Sequence, residues 1–435
     1  MKNKEKVSIF WFRRDLRLQD NCGLFHALKG EFPVIPIFIF DKNILDELKD
    51  TEDARVSFIH NQISEINRQL KSKNSRIITF HDQPEKAFEQ LSEHFDIQIV
   101  YTNRDYEPYA KERDQSIEAW LKKENIGFQS FKDQVIFEPN EILKADQSPY
   151  LVYTPFSKKW LSELQEKDLD SYTSGLQFEN WAVLKYKEII PLEEMGFQKS
   201  KIKIPSKQLS DHTLEVYEKE RNFPDKDSTS RLGVHLRFGT VSVREVAKQA
   251  KGISLTYLKE LIWREFFMTI LYHYPKVVEN NFNAKYDGIQ WRNEEKEFQR
   301  WCEGKTGFPL VDAGMRELNQ TGFMHNRVRM LVASFLTKHL LIDWKWGEAY
   351  FAEKLLDYEL ASNNGNWQWA AGTGVDAAPY FRIFNPETQI EKFDKQHIYI
   401  KRWVKDFGSD AYPKPMVEHK KARERALETY KAGML

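Results

Sequence analysis

Between positions 363 and 369 the chain concentrates asparagine and tryptophan: Asn363, Asn364, Asn366, Trp367 and Trp369. Asparagine spends hydrogen-bonding capacity and seldom fills a core cheaply. Large aromatics beside such groups suit a planar, redox-active or light-absorbing cofactor. For any single tryptophan, core packing is the better reading; it is the crowding that weakens it here. If 363–370 is helical, Asn363 and Trp367 share a face at i,i+4, and Trp369 points elsewhere. Glu260 and Trp263 stand at i,i+3, and Asn326 and Met330 at i,i+4, so each pair can line one wall of a cavity.

Other chemistries fail on their residues. Gly304-Lys305-Thr306 resembles the end of a phosphate-binding loop, but Gln299 stands where the first glycine is needed. Gly372-Thr373-Gly374 lacks the third glycine of a dinucleotide fingerprint and follows no clear strand. The 11 histidines form no HExxH and no cysteine-histidine cluster, so no metal site is expected. No GxSxG elbow is present.

The elements that must carry these residues come from patterning. Val7–Phe12, Val34–Phe40, Arg76–Phe80, Ile97–Tyr101 and Gly127–Phe131 are short β-rich runs. Amphipathic stretches such as Arg55–Ser72 and Pro84–His94 separate them, which predicts a parallel sheet with helical crossovers. Residues 132–195 are irregular and read as a long connection. From about Pro205 the pattern is helical, with candidates at Val241–Lys251, Leu255–Tyr272, Phe308–Thr321, Arg327–Leu341, Gly347–Leu356 and Glu418–Ala432. The expected division is an α/β domain over 1–131, a linker over 132–195 and an all-α domain over 196–435.

The chain has 435 residues, with 65 Lys+Arg balanced by 65 Asp+Glu. Zero net charge excludes a protein that coats nucleic acid by bulk electrostatics, but not a local basic cleft. Only 2 cysteines occur, far apart and outside any CxxC, which fits a reducing cytosol. No apolar run approaches the length of a membrane helix, and Val7–Phe12 is too short for a signal peptide. A cytoplasmic location is expected.

Several segments together resemble the photolyase/cryptochrome family. They are Phe12-Arg13-Arg14-Asp15-Leu16-Arg17, Trp263-Arg264-Glu265-Phe266, Met324-His325-Asn326-Arg327, Asn363-Asn364-Gly365-Asn366-Trp367-Gln368-Trp369 and Ala378-Pro379-Tyr380-Phe381-Arg382-Ile383-Phe384-Asn385-Pro386. The match runs from residue 7 to about 430, in order and at family spacing, and looks most similar to the class I cyclobutane pyrimidine dimer photolyases. It implies a five-stranded Rossmann-like domain, a linker and an all-helical domain holding FAD in a bent shape.

The resemblance also implies roles. Tyr217, Thr229, Ser230, Arg231, Leu232 and Tyr257 would serve the FAD, several of them at its phosphates; Gly233 stands where the family often has a serine. Arg329 and Asp357 would lie against the flavin ring and favour its reduced anionic form, with Asn363 facing N5. Trp367, Trp344 and Trp291 match the family's electron-transfer chain. Glu260, Trp263, Asn326, Met330 and Trp369 match the pocket for a flipped pyrimidine dimer in double-stranded DNA. Arg221, Arg327 and Arg382 match DNA contacts. Neither Asn326 nor Met330 is histidine, which argues against (6-4) repair, and Trp369 argues against a DASH-type cryptochrome. In folate-binding relatives an Asn-Glu pair stands where this chain has Tyr109-Ala110, and a Cys-Lys pair where it has Val278-Glu279. A folate antenna is therefore not implied; a deazaflavin, a flavin or no antenna remain open. The expected activity is light-driven dimer repair by a monomeric lyase. The alternative is a cryptochrome-like light sensor that signals through protein partners.

Overall fold

The computed structural model describes residues 4–434. The chain divides into two compact units, and it moves between them more than once. One comprises Met1–Glu138, Leu164–Lys207 and Leu232–Gln249; the other comprises Pro139–Glu163, Gln208–Arg231 and Ala250–Leu435.

The first unit is built on five parallel strands: β1 (Lys6–Phe12), β2 (Val34–Asp41), β3 (Ile78–Asp82), β4 (Asp96–Asn103) and β5 (Gly127–Phe131). Their order is β3-β2-β1-β4-β5. The two central strands β1 and β2 are almost wholly buried, as a sheet covered on both faces requires. The helices Pro84–His94 and Pro108–Lys123 cover one face, and the helix Cys22–Leu28 packs on β1, β4 and β5. One strand departs from its sequence pattern. The run Arg76–Phe80 was the expected strand, but pairing starts only at Ile78, opposite Ile37. The amide N–H of Ile77 is taken by the side chain of Asn67 (3.0 Å), a local alternative to the ladder.

Just past β1 the Arg-rich motif turns inward. Arg17 pairs with Asp133 at 2.7 Å. Arg244 bridges Asp133 (2.8 Å) and Asp20 (2.9 Å), all with nearly buried side chains. Asn21 and Asn103 satisfy Asp15 from the other side. A Gly239 side chain would collide with the Arg14 and Asp15 backbone, and that residue has φ +62°. Glycine is the residue that permits this approach.

The second unit is helical. The helices that bear on function are α1 (Tyr153–Glu163), α2 (Asp211–Glu220), α3 (Leu255–His273), α4 (Glu295–Cys302), α5 (Pro309–Thr321), α6 (Asn326–Ser334), α7 (Trp344–Lys354), α8 (Leu360–Ala371) and α9 (His419–Ala432). The expected single helix over Arg327–Leu341 is not continuous. After α6 the backbone widens into a π-helical turn, Phe335–His339. That turn brings the buried Lys338 ammonium to the carbonyl of Ala371 at 2.6 Å.

Arg244→Met leaves two buried carboxylates short of a partner. It should cost about 3–5 kcal/mol of stability in urea denaturation at neutral pH. Burial raises the pKa of the Asp133 carboxyl, but Arg17 and Arg244 outweigh it and hold the group below its ordinary value. Its stabilisation is therefore present above the unfolded-state pKa of about 3.9 and fades as pH falls through the folded value. The gap between wild type and variant should narrow in acid.

Candidate active site

Helix α8 carries the asparagine-tryptophan segment, and polar bonds fix its rotation. Asn364 and Gln368 both donate to the carbonyl of Val277, each at 2.9 Å. Gln368 also accepts the Phe282 N–H at 2.8 Å. Asn363 donates to the carboxylate of Glu348 at 2.9 Å. Lys338 and Tyr430 both donate to Ala371, at the end of the helix. Gly347 and Gly365 have no side chain because Trp367 and Phe267, respectively, occupy the space.

Two clefts open beside α8. The first encloses about 590 Å³ and is lined by Arg329, Asp357, Asn363, Trp367 and Trp369, among others. Arg329 pairs with Asp357 at 2.9 Å. The other Asp357 oxygen is buried without a partner. A buried acceptor with no donor is costly, and a ligand N–H would satisfy it. The arrangement therefore fits a planar heterocycle with polar edges. The second cleft encloses about 870 Å³ and is lined by Arg221, Glu260, Trp263, Asn326, Met330 and Trp369, with Arg264, Phe267, Ser362 and Asn366 completing it. Asn326, Met330, Ser362, Asn366 and Trp369 line both clefts. Asn363 and Trp367 line only the first.

Glu260 is bound directly to Arg221. Burial raises the Glu260 carboxyl pKa and Arg221 opposes it, leaving the group above its ordinary value. Around the rim, Arg327 donates to Asn222 at 2.6 Å and lies over the Phe393 ring, and Arg382 lies over Phe384 and Trp369. Burial, then the charges of Arg221 and Arg382, lower the pKa of Arg327. Such mutual repulsion favours an anion at the rim.

The structure gathers the other sequence-derived candidates unevenly. Tyr217 meets Tyr257 edge-on at 5.0 Å, and the Tyr257 hydroxyl bonds Ser230 at 2.7 Å. Thr229 is half-buried in the same non-helical run, and the Ser228 hydroxyl is buried without a partner. Arg231 is exposed, with φ +52°, and lies over the Phe323 ring. Leu232 is the N-cap of the helix Gly233–Phe238. Trp344 and Trp367 lie in one apolar core, with Trp291 packed against it. The Trp344 indole donates to Asn281 at 2.9 Å. Sequence reasoning missed Tyr153, which stacks on Trp263 at 3.6 Å and 6°, and Trp301, whose ring lies 6.2 Å from that of Trp367. Neither contact leaves a spacing signal, because each joins distant helices.

The first unit holds a cleft of its own, of about 890 Å³, floored by Trp11, Phe38 and Phe40. Asp41, Asp105, Tyr109 and Arg113 are among its polar residues. The Tyr109 hydroxyl donates to Asp41 at 2.5 Å. Burial raises the Asp105 carboxyl pKa, but Arg14 and Arg237 outweigh it and keep it ionised.

The helical unit thus holds two clefts that share a wall, the first with a buried carboxylate oxygen open to a ligand donor. Two family profiles match the chain: "DNA photolyase" over residues 8–173 and "FAD binding domain of DNA photolyase" over 257–409. The deoxyribodipyrimidine photo-lyases of Agrobacterium fabrum and Escherichia coli are 36% and 34% identical, over 99% and 98% of this chain and the same shares of theirs. A solved bacterial class III photolyase from Agrobacterium tumefaciens superposes with TM-score 0.88 at 33% identity, covering 99% of this chain and 98% of that one. A solved archaeal photolyase from Sulfolobus tokodaii with two FAD molecules gives TM-score 0.84 at 34% identity, covering 98% and 100%. The chain belongs to the photolyase/cryptochrome family, and it is an enzyme of the DNA-repairing, photolyase kind with an FAD-binding domain. Among the described residues no helix is long and apolar enough to cross a membrane, and no group of side chains is arranged to hold a metal ion.

Arg221→Met removes the positive charge that opposes Glu260 protonation. The Glu260 carboxyl pKa should rise further, seen by infrared spectroscopy as a protonated-carboxyl band that persists to higher pH than in wild type.

Proposed function

We propose that the enzyme repairs cyclobutane pyrimidine dimers in duplex DNA by light-driven electron transfer. The carrying observation is the wall of Asn326, Met330, Ser362, Asn366 and Trp369 shared by the two clefts. A donor in the first and a damaged base pair in the second would be separated by side chains alone.

Reduced FAD, when bound, would supply one electron on absorbing blue or near-ultraviolet light and receive it back after the ring splits. The chain's residues do the rest. Arg329 would hold positive charge beside the ring and favour its anionic form. Asp357 and Asn363 would orient it through hydrogen bonds. Arg221, Arg327 and Arg382 would engage phosphates and position the duplex without reading its sequence. Extruding a damaged pair costs only a few kcal/mol, because its pairing is already weak. Trp263 and Trp369 would pack the flat faces of the dimer, each stack worth about 1–3 kcal/mol. Tyr153 would hold Trp263 in place. Asn326 and Glu260 would bond the imide edges. A protonated Glu260 donates to a carbonyl that gains negative charge as the electron arrives, which stabilises developing charge. Trp367, with Trp344 and Trp291, would return oxidised flavin to its reduced form.

The cleft of the first unit would take a second, light-harvesting chromophore. Its aromatic floor suits a planar ring. The relative with two FAD molecules favours a flavin over a folate.

Purified protein with fully reduced flavin should split thymine dimers in duplex DNA under blue light and not in the dark. The absence of light-dependent repair would refute the proposal. Glu260→Ala should lower the repair yield per photon by about tenfold while changing affinity for damaged DNA less; a fall in affinity alone would remove Glu260 from the chemistry. Trp367→Phe should block photoreduction of oxidised flavin, read by absorbance.

A further inference from the structure

Electron transfer between the clefts must cross the wall they share, and that wall carries charge. We propose that the ion pair Arg264–Glu359 polarises the wall, favouring passage of an electron from the first cleft to the second. The inference rests on the placement of flavin in the first cleft and dimer in the second given above.

Among the described residues the charged side chains lining the clefts form three ion pairs. Arg329 and Asp357 both line the first cleft, and Arg221 and Glu260 both line the second. Each of these pairs presents both signs of charge to one ligand. The third pair is divided. Glu359 lines the first cleft, Arg264 lines the second, and they meet at 3.1 Å. One ligand therefore faces its negative end and the other its positive end.

Local structure holds the pair in that orientation. Arg264 follows Trp263 on α3. Glu359 is the N-cap of α8, where the helix dipole favours an ionised carboxylate. One of its oxygens accepts from Arg264, and the other accepts the Ser362 hydroxyl at 3.2 Å. The two side chains are only 10% and 6% exposed. A buried ion pair adds little stability over apolar residues of similar volume, so stability is a poor reason for placing one in this wall. Burial does reduce dielectric screening, which strengthens the field of both charges.

An electron crossing from the first cleft to the second leaves the neighbourhood of Glu359 and approaches Arg264. The carboxylate raises the energy of the electron on the flavin, and the guanidinium lowers it on the dimer. The field favours forward transfer and opposes return before the ring has opened. It is set before light arrives, so it costs no reorganisation as charge moves. In one turnover a single electron leaves the reduced flavin, both carbon–carbon bonds joining the pyrimidines break, and the electron returns. Arg264 and Glu359 exchange neither electrons nor protons; they are positioning residues for the transferred charge.

The test uses flavin-loaded wild type, Arg264→Gln, Glu359→Gln, Arg264→Gln/Glu359→Gln and Arg264→Lys. The midpoint potential of the bound flavin is read by spectroelectrochemistry without DNA. Repair yield per photon is read with fully reduced flavin and a thymine dimer in duplex DNA. Glu359→Gln should raise the potential, Arg264→Gln should lower it, and the double variant should fall between them. Each single neutral variant should lower the repair yield by about threefold, and the double variant should lower it further. Arg264→Lys keeps the charge and should recover most of the yield lost in Arg264→Gln. If the Arg264→Gln protein folds poorly, the double variant stays informative, because its paired amides leave no buried charge without a partner. Single variants whose potentials move together or not at all, or a double variant with undiminished yield, overturn the inference while the proposed function stands. Absence of repair by wild type overturns that function and this inference with it.

Discussion

Helix α8 is held by hydrogen bonds where most helices are held by a greasy stripe. Its sequence offers no amphipathic face: Asn363, Asn364, Trp367 and Gln368 are all buried. Apolar burial is non-directional and would tolerate a rotation of the helix. The bonds from Asn364 and Gln368 to Val277 do not. A buried amide that loses its partner costs about 1–3 kcal/mol, so each bond penalises rotation sharply. Lys338 and Tyr430 fix the far end through the single carbonyl of Ala371. Every group proposed to face flavin or substrate from α8 inherits its aim from these anchors.

Charge is handled by the same logic of local pairing. The whole chain is neutral, yet each unit concentrates charge where it is used. In the first unit the arginines of the Phe12-to-Arg17 segment face inward and are matched by Asp105, Asp114 and Asp133. Their role is architectural, although arginines in a DNA-repair enzyme invite another reading. In the second unit Arg221, Arg327 and Arg382 gather around one cleft. If they engage DNA as proposed, a cluster this small would give a few phosphate contacts and a modest salt dependence.

The sheet was legible because its strands are short β-rich runs between amphipathic stretches, and all five begin and end within two residues of those runs. Of these only β3 starts later than its run, by two residues, where Asn67 takes the Ile77 amide, an interaction between elements that strand patterning does not encode. The break after Ser334 was equally hidden. Phe335, Leu336 and His339 continue a helical pattern, and the π turn accompanies a bond from Lys338 to Ala371 on another helix, which that pattern does not encode. The two cleft linings were readable in part from i,i+3 and i,i+4 pairs, because those pairs sit on one helix each. Tyr153 and Trp301 were not, because stacking partners on separate helices leave no periodicity. The proposed phosphate-side residues fall between these cases. Ser230 joins Tyr257 and Tyr217 as a cluster, while Leu232 belongs to the other compact unit.

On the proposed function, Arg221 would tie DNA docking to the state of Glu260. In the free protein its guanidinium is committed to that carboxylate, which burial would otherwise drive toward the neutral form. A phosphate arriving at the rim competes for the same guanidinium. Any share of Arg221 drawn to phosphate is withdrawn from Glu260, so its pKa climbs and the proton is retained. A carboxylate is acceptor-only, whereas the protonated acid can donate to a carbonyl edge. Binding at the rim would thus prepare the hydrogen-bond donor inside the cleft. By linkage, protonation of Glu260 would release Arg221 and strengthen phosphate binding by the same factor. On that reading the ion pair would serve as a latch whose opening is coupled to the arrival of DNA, which would account for a carboxylate in a cleft proposed for an anionic polymer.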